Sequence, residues 1–321
     1  MATFHAYQAF DMSQLDLSSL VTDGTDQGFQ DNINTTVNGV TYQDVAGFEY
    51  YDGGYHSVYF GGTGFTITSN GVPTGGTVTG IAEIDGPLGP ISVNNPNAPA
   101  HYLLQGISVG VTALVAAAQT LSTSDDLTLL KTVLAGADTF YLSAGADLAK
   151  AFDGADTLYG YAGADVLYGG NGADKLYGGV GNDTLWGEAG MDKLFGGAGH
   201  DVLVGGDGAD SFVFNTAATA TSSDIIKDFS HAQGDHIDLS AAILRGIGQS
   251  AGATLAADAF YAASGATTAH DASDRVIYNT ATGKLYYDAD GTGTAYAPVL
   301  LATLGSALHP TLVAGDFHIV V

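Results

Sequence analysis

The chain has 321 residues, 45% of them hydrophobic, enough for one to three compact units with a buried core, so the charged fraction of 13% is no sign of disorder. The formal net charge is −26, from 34 acids against 8 Lys and Arg, and no base precedes Lys131; phosphate recognition needs clustered bases, so nucleic acid and anionic membrane surfaces are excluded and cations are the natural complement. Cysteine is absent, which removes disulfides and thiolate metal sites but leaves an oxidising compartment open.

The opening "MATFHAYQAFDMSQLDL" lacks a basic segment followed by an apolar run, so no cleavable secretory signal is visible, and any export address lies elsewhere. Residues 1–123 are rich in short β-branched or aromatic runs such as "FEYYDGG", "HSVYFGGTGFTITSNG" and "GGTVTGIAEIDG", punctuated by Gly and Asn, which predicts a β-rich module. The apolar run Leu103–Leu121 has the length of a bilayer span. Its Gln105, Ser108, Thr112, Gln119 and Thr120, and the lack of flanking bases on its N-terminal side, favour a buried strand and short helix over a membrane span.

"GISVG", Gly106–Gly110, spells a Gly-x-Ser-x-Gly nucleophile elbow. A triad would require an acid and a His after Ser108 in the same domain, and the next histidine is His200. No His-Glu-x-x-His occurs, and nothing in their spacing singles out a glycosidase pair among Asp44, Glu49, Asp52, Glu83 and Asp85, so no catalytic residue is assigned. A capping box at Ser122 or Ser124 ahead of "DDLTLLKTVL" predicts a short helix or linker over 124–135.

Residues 136–214 carry a strict period of nine. Aspartates stand at 138, 147, 156, 165, 174, 183, 192, 201 and 210, each with a glycine two residues before and an apolar residue two residues after, from Phe140 to Phe212. The fullest copies read Gly-Gly-x-Gly-x-Asp-x-Leu-x. The glycines allow tight turns and close backbone approach, and the three residues after each Asp form a short strand whose middle side chain points inward. Two nonapeptides make one eighteen-residue coil, so with coils stacked at about 4.8 Å the aspartates of every second repeat lie above one another. A file of carboxylates at that spacing repels unless a cation lies between the turns, and an all-oxygen donor set with flexible geometry suits calcium. The alternative is a metal-free solenoid whose aspartates form Asx-turns.

These nonapeptides resemble those of the RTX, or haemolysin-type, calcium-binding proteins, strongly over 151–213 and weakly over 133–150. The resemblance implies an all-β fold, a right-handed parallel β-roll between a β-rich N-terminal module and a β-rich C-terminal cap. It also implies calcium ligation by Asp156, Asp165, Asp174, Asp183, Asp192, Asp201 and Asp210. Carbonyls of turn residues would complete the sites: Gly170, Asn171 and Gly172 in one copy, and Gly179, Gly181, Gly197, Gly199, Gly206 and Gly208 in later ones. Nine turns offer at most seven inter-turn sites. The copies at Asp138 and Asp147, "VLAGAD" and "LSAGAD", lack the leading glycines and are expected to form a frayed or capping coil, which leaves about five ions. "FHAYQAFDMSQLDLSSL" is similar to leaders that precede such repeats in other exported proteins.

Residues 215–321 are expected to cap the roll. "RVIYN" and "KLYYD" around "TATG" predict a β-hairpin, and "DADG" at Asp288–Gly291 reads as a turn, since it lacks the further acids of an EF-hand loop. This region resembles the C-terminal part of serralysin-type proteins. There an acid followed by apolar residues serves as an uncleaved type I secretion signal, and "DFHIVV", Asp316–Val321, fits. The resemblance thus points to a secreted, calcium-folded, non-catalytic protein of a surface layer, matrix or adhesive. Its partners would be the type I secretion machinery, other copies of itself or a cell-surface glycan. The alternatives are an exported carbohydrate-active or esterase-like enzyme housed in 1–123, or a host-interacting effector resembling exported calcium-binding proteins of nodulating bacteria. The last residue of each repeat is aromatic at Tyr159, Tyr168, Tyr177, Trp186 and Phe195, which predicts two outer ladders that either bind sugars or merely stabilise the sheets.

Overall fold

The computed structural model describes residues 134–321 apart from 218–221, 248–251, 306–308 and 321, together with Lys131 and, as backbone alone, eight strands between Thr3 and Gly110. The chain divides into two compact units, Met1–Ala144 and Gly145–Val321.

In the first unit, Gly- and Asn-rich punctuation between aromatic and β-branched runs gives an antiparallel meander. Asp26–Gln30, Asp44–Tyr51, Tyr55–Ile67, Pro73–Asp85 and Ala100–Gly110 lie side by side in chain order, with Tyr51 opposite Tyr55. Thr3–Ala6 pairs antiparallel with Ala100–Gly110 and parallel with Thr139–Tyr141. The register between the two longest strands shifts at Gly61–Gly62, where glycine accommodates a bulge. Leu103–Gly110, the start of the long apolar run, is therefore strand. The rest of that run lies outside the described residues, and of the helix or linker expected over 124–135 only Lys131, which is helical, Leu134 and Ala135 are described.

The second unit is a stack of eighteen-residue coils. One file of parallel strands runs Leu148–Lys150, Val166–Asn171, Thr184–Ala189, Val202–Asp207 and Asp224–Ile226; the other runs Thr157–Tyr159, Lys175–Val180, Lys193–Ala198, Ser211–Phe214 and His236–Ser240. Residues eighteen apart are in register, Leu167 against Leu185 against Leu203 and Leu158 against Leu176 against Leu194, and these leucines are buried between the two files. The fold is thus the parallel β-roll that the repeat predicts. The strands between Val166 and Asp207 are six residues long rather than the three expected, because the pairing continues into the turns. In Lys175–Val180 the ladder skips Gly178 and resumes at Gly179 opposite Gly197, and Val180 donates its N–H to the Tyr161 carbonyl at 2.8 Å. Gly179, with φ of 110°, stands so close to the Tyr161 carbonyl that a Cβ would strike it.

The copy at Asp147 is stacked rather than frayed: Leu148–Lys150 pairs in register with Val166–Tyr168, and Ala149 is fully buried. At the other end the segments expected to cap the roll extend it. Val299–Leu304 pairs parallel with Asp224–Ile226, and Phe317–Val320 pairs parallel with His236–Ser240. The predicted hairpin forms from Val276–Asn279 and Lys284–Tyr287, joins Val299–Leu304 antiparallel, and buries Tyr278, Leu285 and Tyr287.

Candidate metal centre

Each repeat aspartate sits where a turn ends and a strand begins, and the backbone around it is fully committed. The Asp174 N–H donates to Asp192 Oδ1 at 2.8 Å, the Asp174 carbonyl accepts from the Lys193 N–H at 2.8 Å, and Asp174 Oδ1 accepts from the Asp156 N–H at 2.7 Å. The same three bonds recur at Asp165, Asp183 and Asp192. The seven aspartates predicted as ligands fall into two files, Asp156, Asp174, Asp192 and Asp210 along one edge and Asp165, Asp183 and Asp201 along the other, all within 1% of complete burial. The second carboxylate oxygen, Oδ2, of Asp165, Asp174, Asp183, Asp192, Asp201 and Asp210 is buried and accepts no hydrogen bond.

These oxygens converge on a cradle lined by backbone. A Cβ on Gly169 would collide with Asp174 Oδ2 and come within 2.9 Å of the Gly187 carbonyl in the next coil; one on Gly178 would meet Asp183 Oδ2 and the Gly196 carbonyl, and one on Gly160 would meet Asp165 Oδ2 and the Gly178 carbonyl. Gly169, Gly178 and Gly160 do not have the positive φ that demands glycine, so close approach to these oxygens is what their lack of a side chain secures. An oxygen-only set of carboxylate and carbonyl groups in a partly dry crevice matches the donor chemistry of calcium. Left without a cation, the site penalises its own charge. Burial pushes Asp165 and Asp192 up to about 7 and Asp174, Asp183 and Asp210 up to about 6, against the partial relief of the backbone N–H each accepts.

The turn carbonyls expected as ligands have varied surroundings. Those of Gly172 and Gly181 lie against the next coil at Gly190 and Gly199, and that of Gly179 lies against Gly197. The Asn171 carbonyl accepts from the Gly154 N–H at 2.8 Å. Near the C-terminal end protein groups take up this role: the Gly197 carbonyl accepts from Thr216 Oγ1 at 2.7 Å, the Gly206 carbonyl accepts from Gln233 Nε2, and Asp228 accepts the N–H groups of Gly205 and Gly206. Glycine is not required by the turn at every copy. Phe152, Tyr161 and Glu188 occupy the second-glycine position with φ of 74°, 67° and 75°, so the coil imposes a left-handed backbone on them.

Two members of the files lie beyond the period of nine. Asp224 Oδ1 accepts from the Asp201 N–H at 3.1 Å and Asp235 Oδ1 from the Asp210 N–H at 3.0 Å. Their intervals of fourteen and eleven residues hide them from a nonapeptide count, but each retains the apolar residue two places on, Ile226 and Ile237, both fully buried. Burial, with Asp201 beside it, pushes Asp224 up to about 8. Asp235 differs from the other carboxylates in that its Oδ2 accepts from the Ser230 N–H at 2.7 Å.

A family model described as the RTX calcium-binding nonapeptide repeat (4 copies) matches residues 150–185 and 186–215. Residues 150–215 are RTX calcium-binding repeats. Among solved structures, the R3 subunit of the mannuronan C5-epimerase AlgE6 from Azotobacter vinelandii is similar to the chain at 25% identity, covering 57% of this chain and 77% of that one, with a TM-score of 0.21. No curated protein compared with the chain matches it. Outside the cradles, the RTX roll stacks aromatic rings on its outer faces as the spacing predicts: Tyr159 and Tyr177 centroids are 4.9 Å apart, Tyr177 and Phe195 4.3 Å, and Tyr168 and Trp186 6.2 Å.

Proposed function

We propose that this calcium-binding RTX protein is exported and non-catalytic, and that its roll folds outside the cell where calcium is plentiful to serve as a structural or adhesive component of a surface layer or matrix. The observation that carries this reading is the double file of buried Oδ2 atoms facing glycine carbonyls: such a crevice is stable only with a cation in it, so calcium binding appears as folding energy. At the low free calcium of a cytoplasm the chain stays unfolded and fit for export; on reaching millimolar calcium it takes up about five ions, up to seven, between turns. Asp156, Asp165, Asp174, Asp183, Asp192, Asp201 and Asp210 carry the charge, with turn carbonyls completing each shell.

The type I secretion machinery would read "DFHIVV" before folding, since in the folded chain Phe317 and Ile319 are buried in the last strand of one file. Support for a non-catalytic role comes from the sequence around Ser108, after which no histidine occurs before His200. Among the described residues no helix is long and apolar enough to cross a membrane. The aromatic ladders, with Trp186 38% exposed, are surfaces suited to a glycan or to a second copy.

Electron microscopy of the full chain with calcium and with chelator is the decisive experiment. Calcium-dependent polymers or sheets support the structural role. Dispersed particles in both conditions, together with turnover of ester or glycan substrates by the full chain, would replace it with the enzyme reading.

A further inference from the structure

Away from the aspartate files, two strands of the roll bring a different set of donors together. In the His236–Ser240 strand, Ile237 and Leu239 point into the core, so His236 and Asp238 share the opposite face. The C-terminal strand pairs parallel with it, Asp238 opposite His318, and there Phe317 and Ile319 are buried, which puts His318 on the face of Asp238. His236 Nε2 is 3.5 Å and His318 Nδ1 is 3.8 Å from Asp238 Oδ1, and the two imidazole rings are 4.3 Å apart. One donor atom from each of the three residues lies within 4.8 Å of the others.

The Asp238 side chain is only 5% exposed, yet Oδ1, the oxygen aimed between the two imidazoles, accepts no hydrogen bond. Neither histidine is close enough to donate to it. Lys193, two strands away across Ser211, favours the carboxylate through space, but no hydrogen bond from it reaches Oδ1. A buried carboxylate oxygen without a hydrogen bond is costly unless positive charge, a protonated imidazole or a bound ion, fills the gap.

We propose that His236, Asp238 and His318 form a site for a divalent transition-metal ion, zinc being the ion whose chemistry it fits best. Bonds of about 2.0–2.1 Å to nitrogen and oxygen in a tetrahedral shell place neighbouring donors about 3.3 Å apart, so the observed 3.5 and 3.8 Å need only small contraction. Two imidazoles exclude calcium and magnesium as natural occupants and separate this site from the oxygen-only cradles of the roll. Ser211 Oγ lies 2.8 Å from His236 Nε2, so metal binding requires that hydroxyl to turn away and leave the nitrogen lone pair to the ion. The ion would tie the C-terminal strand to the roll, because His318 comes from the one and the other two ligands from its neighbour.

The test uses the full chain in saturating calcium, so that zinc has no access to the aspartate files. Titration against a competing chromophoric chelator should reveal one zinc per chain. Cobalt in its place should give visible absorption bands of a histidine and oxygen environment. Asp238→Asn and His318→Gln should each weaken zinc binding at least tenfold, whereas His270→Gln, in an exposed His and Asp cluster elsewhere in the cap, should leave it unchanged. Trp186 emission in calcium verifies that each variant keeps its roll. No zinc bound by the wild-type chain, or equal binding by both the Asp238→Asn and His318→Gln variants, would overturn the site.

Discussion

Asp165, Asp174, Asp183, Asp192, Asp201 and Asp210 use their two carboxylate oxygens differently. Oδ1 accepts an N–H from the preceding coil and is part of the scaffold, while Oδ2 is buried without a hydrogen bond and is the oxygen we propose for the cation. The two uses can be separated at Asp183. Replacement by Asn keeps an acceptor for the Asp165 N–H but removes the charge, so the calcium midpoint followed by Trp186 emission should rise. Replacement by Ala also removes the acceptor and should cost a further amount of about 1–3 kcal/mol. Equal midpoints for the two variants and the wild type would show that Asp183 holds no ion. The pH dependence follows from the raised values. In the absence of metal Asp165 and Asp192 titrate near 7 in the folded chain and near the ordinary 3.8 in the unfolded one, so between those limits the folded state binds more protons and its stability falls as pH rises. In chelator the far-UV dichroism should therefore show most β-structure near pH 4, where these carboxyls are protonated, and lose it through pH 7. In calcium the trend reverses, because protons compete with the ion for the same oxygens.

For the turn as an element, the cradle predicts a sharp distinction among glycines. Gly178→Ala needs no strained backbone, but its methyl would occupy the gap between Asp183 Oδ2 and the Gly196 carbonyl. It should lose one calcium and about 1–3 kcal/mol of stability, measured by isothermal titration and by calcium-dependent melting. Gly136→Ala, where nothing lies within 4 Å of an added Cβ, should leave both unchanged. Glu188→Gly, which relieves a left-handed non-glycine residue at φ 75°, should raise stability by about 1 kcal/mol. The turns also account for what the sequence disclosed and what it hid. The nine-residue period places Asp174 over Asp192 and Leu176 over Leu194 because eighteen residues return the chain to the same edge, a purely local rule. Asp224 and Asp235 follow loops of irregular length, so their membership depends on tertiary pairing of Ile225 with Val202 and of Ile237 with Phe212, which no local spacing encodes. The strand order of the N-terminal meander is non-local in the same way: runs such as "GGTVTGIAEIDG" announce a strand without naming its neighbour.

At the scale of the whole molecule, the two files are not interchangeable. Asp224–Ile226 and Val299–Leu304 belong to one, His236–Ser240 and Phe317–Val320 to the other. Deleting residues 193–210 removes one full coil and rejoins Asp192 to Ser211 in register. That chain should fold in calcium with Trp186 emission like the parent, with a smaller ion count. Deleting residues 193–201 alone delivers every later strand to the wrong file, directs the strands of the C-terminal region to mismatched edges, and should abolish the cooperative calcium transition. A normal transition in the nine-residue deletion would refute the two-file register. The same constraint bears on how such a chain lengthens or shortens over generations. Although the visible motif is nine residues long, the heritable unit is a pair of motifs: a duplication of one would be purged as a frameshift of the fold, and a duplication of two would pass unnoticed. Lineages of this protein are thus expected to differ by multiples of eighteen residues within the roll, and the odd step should be missing from the record.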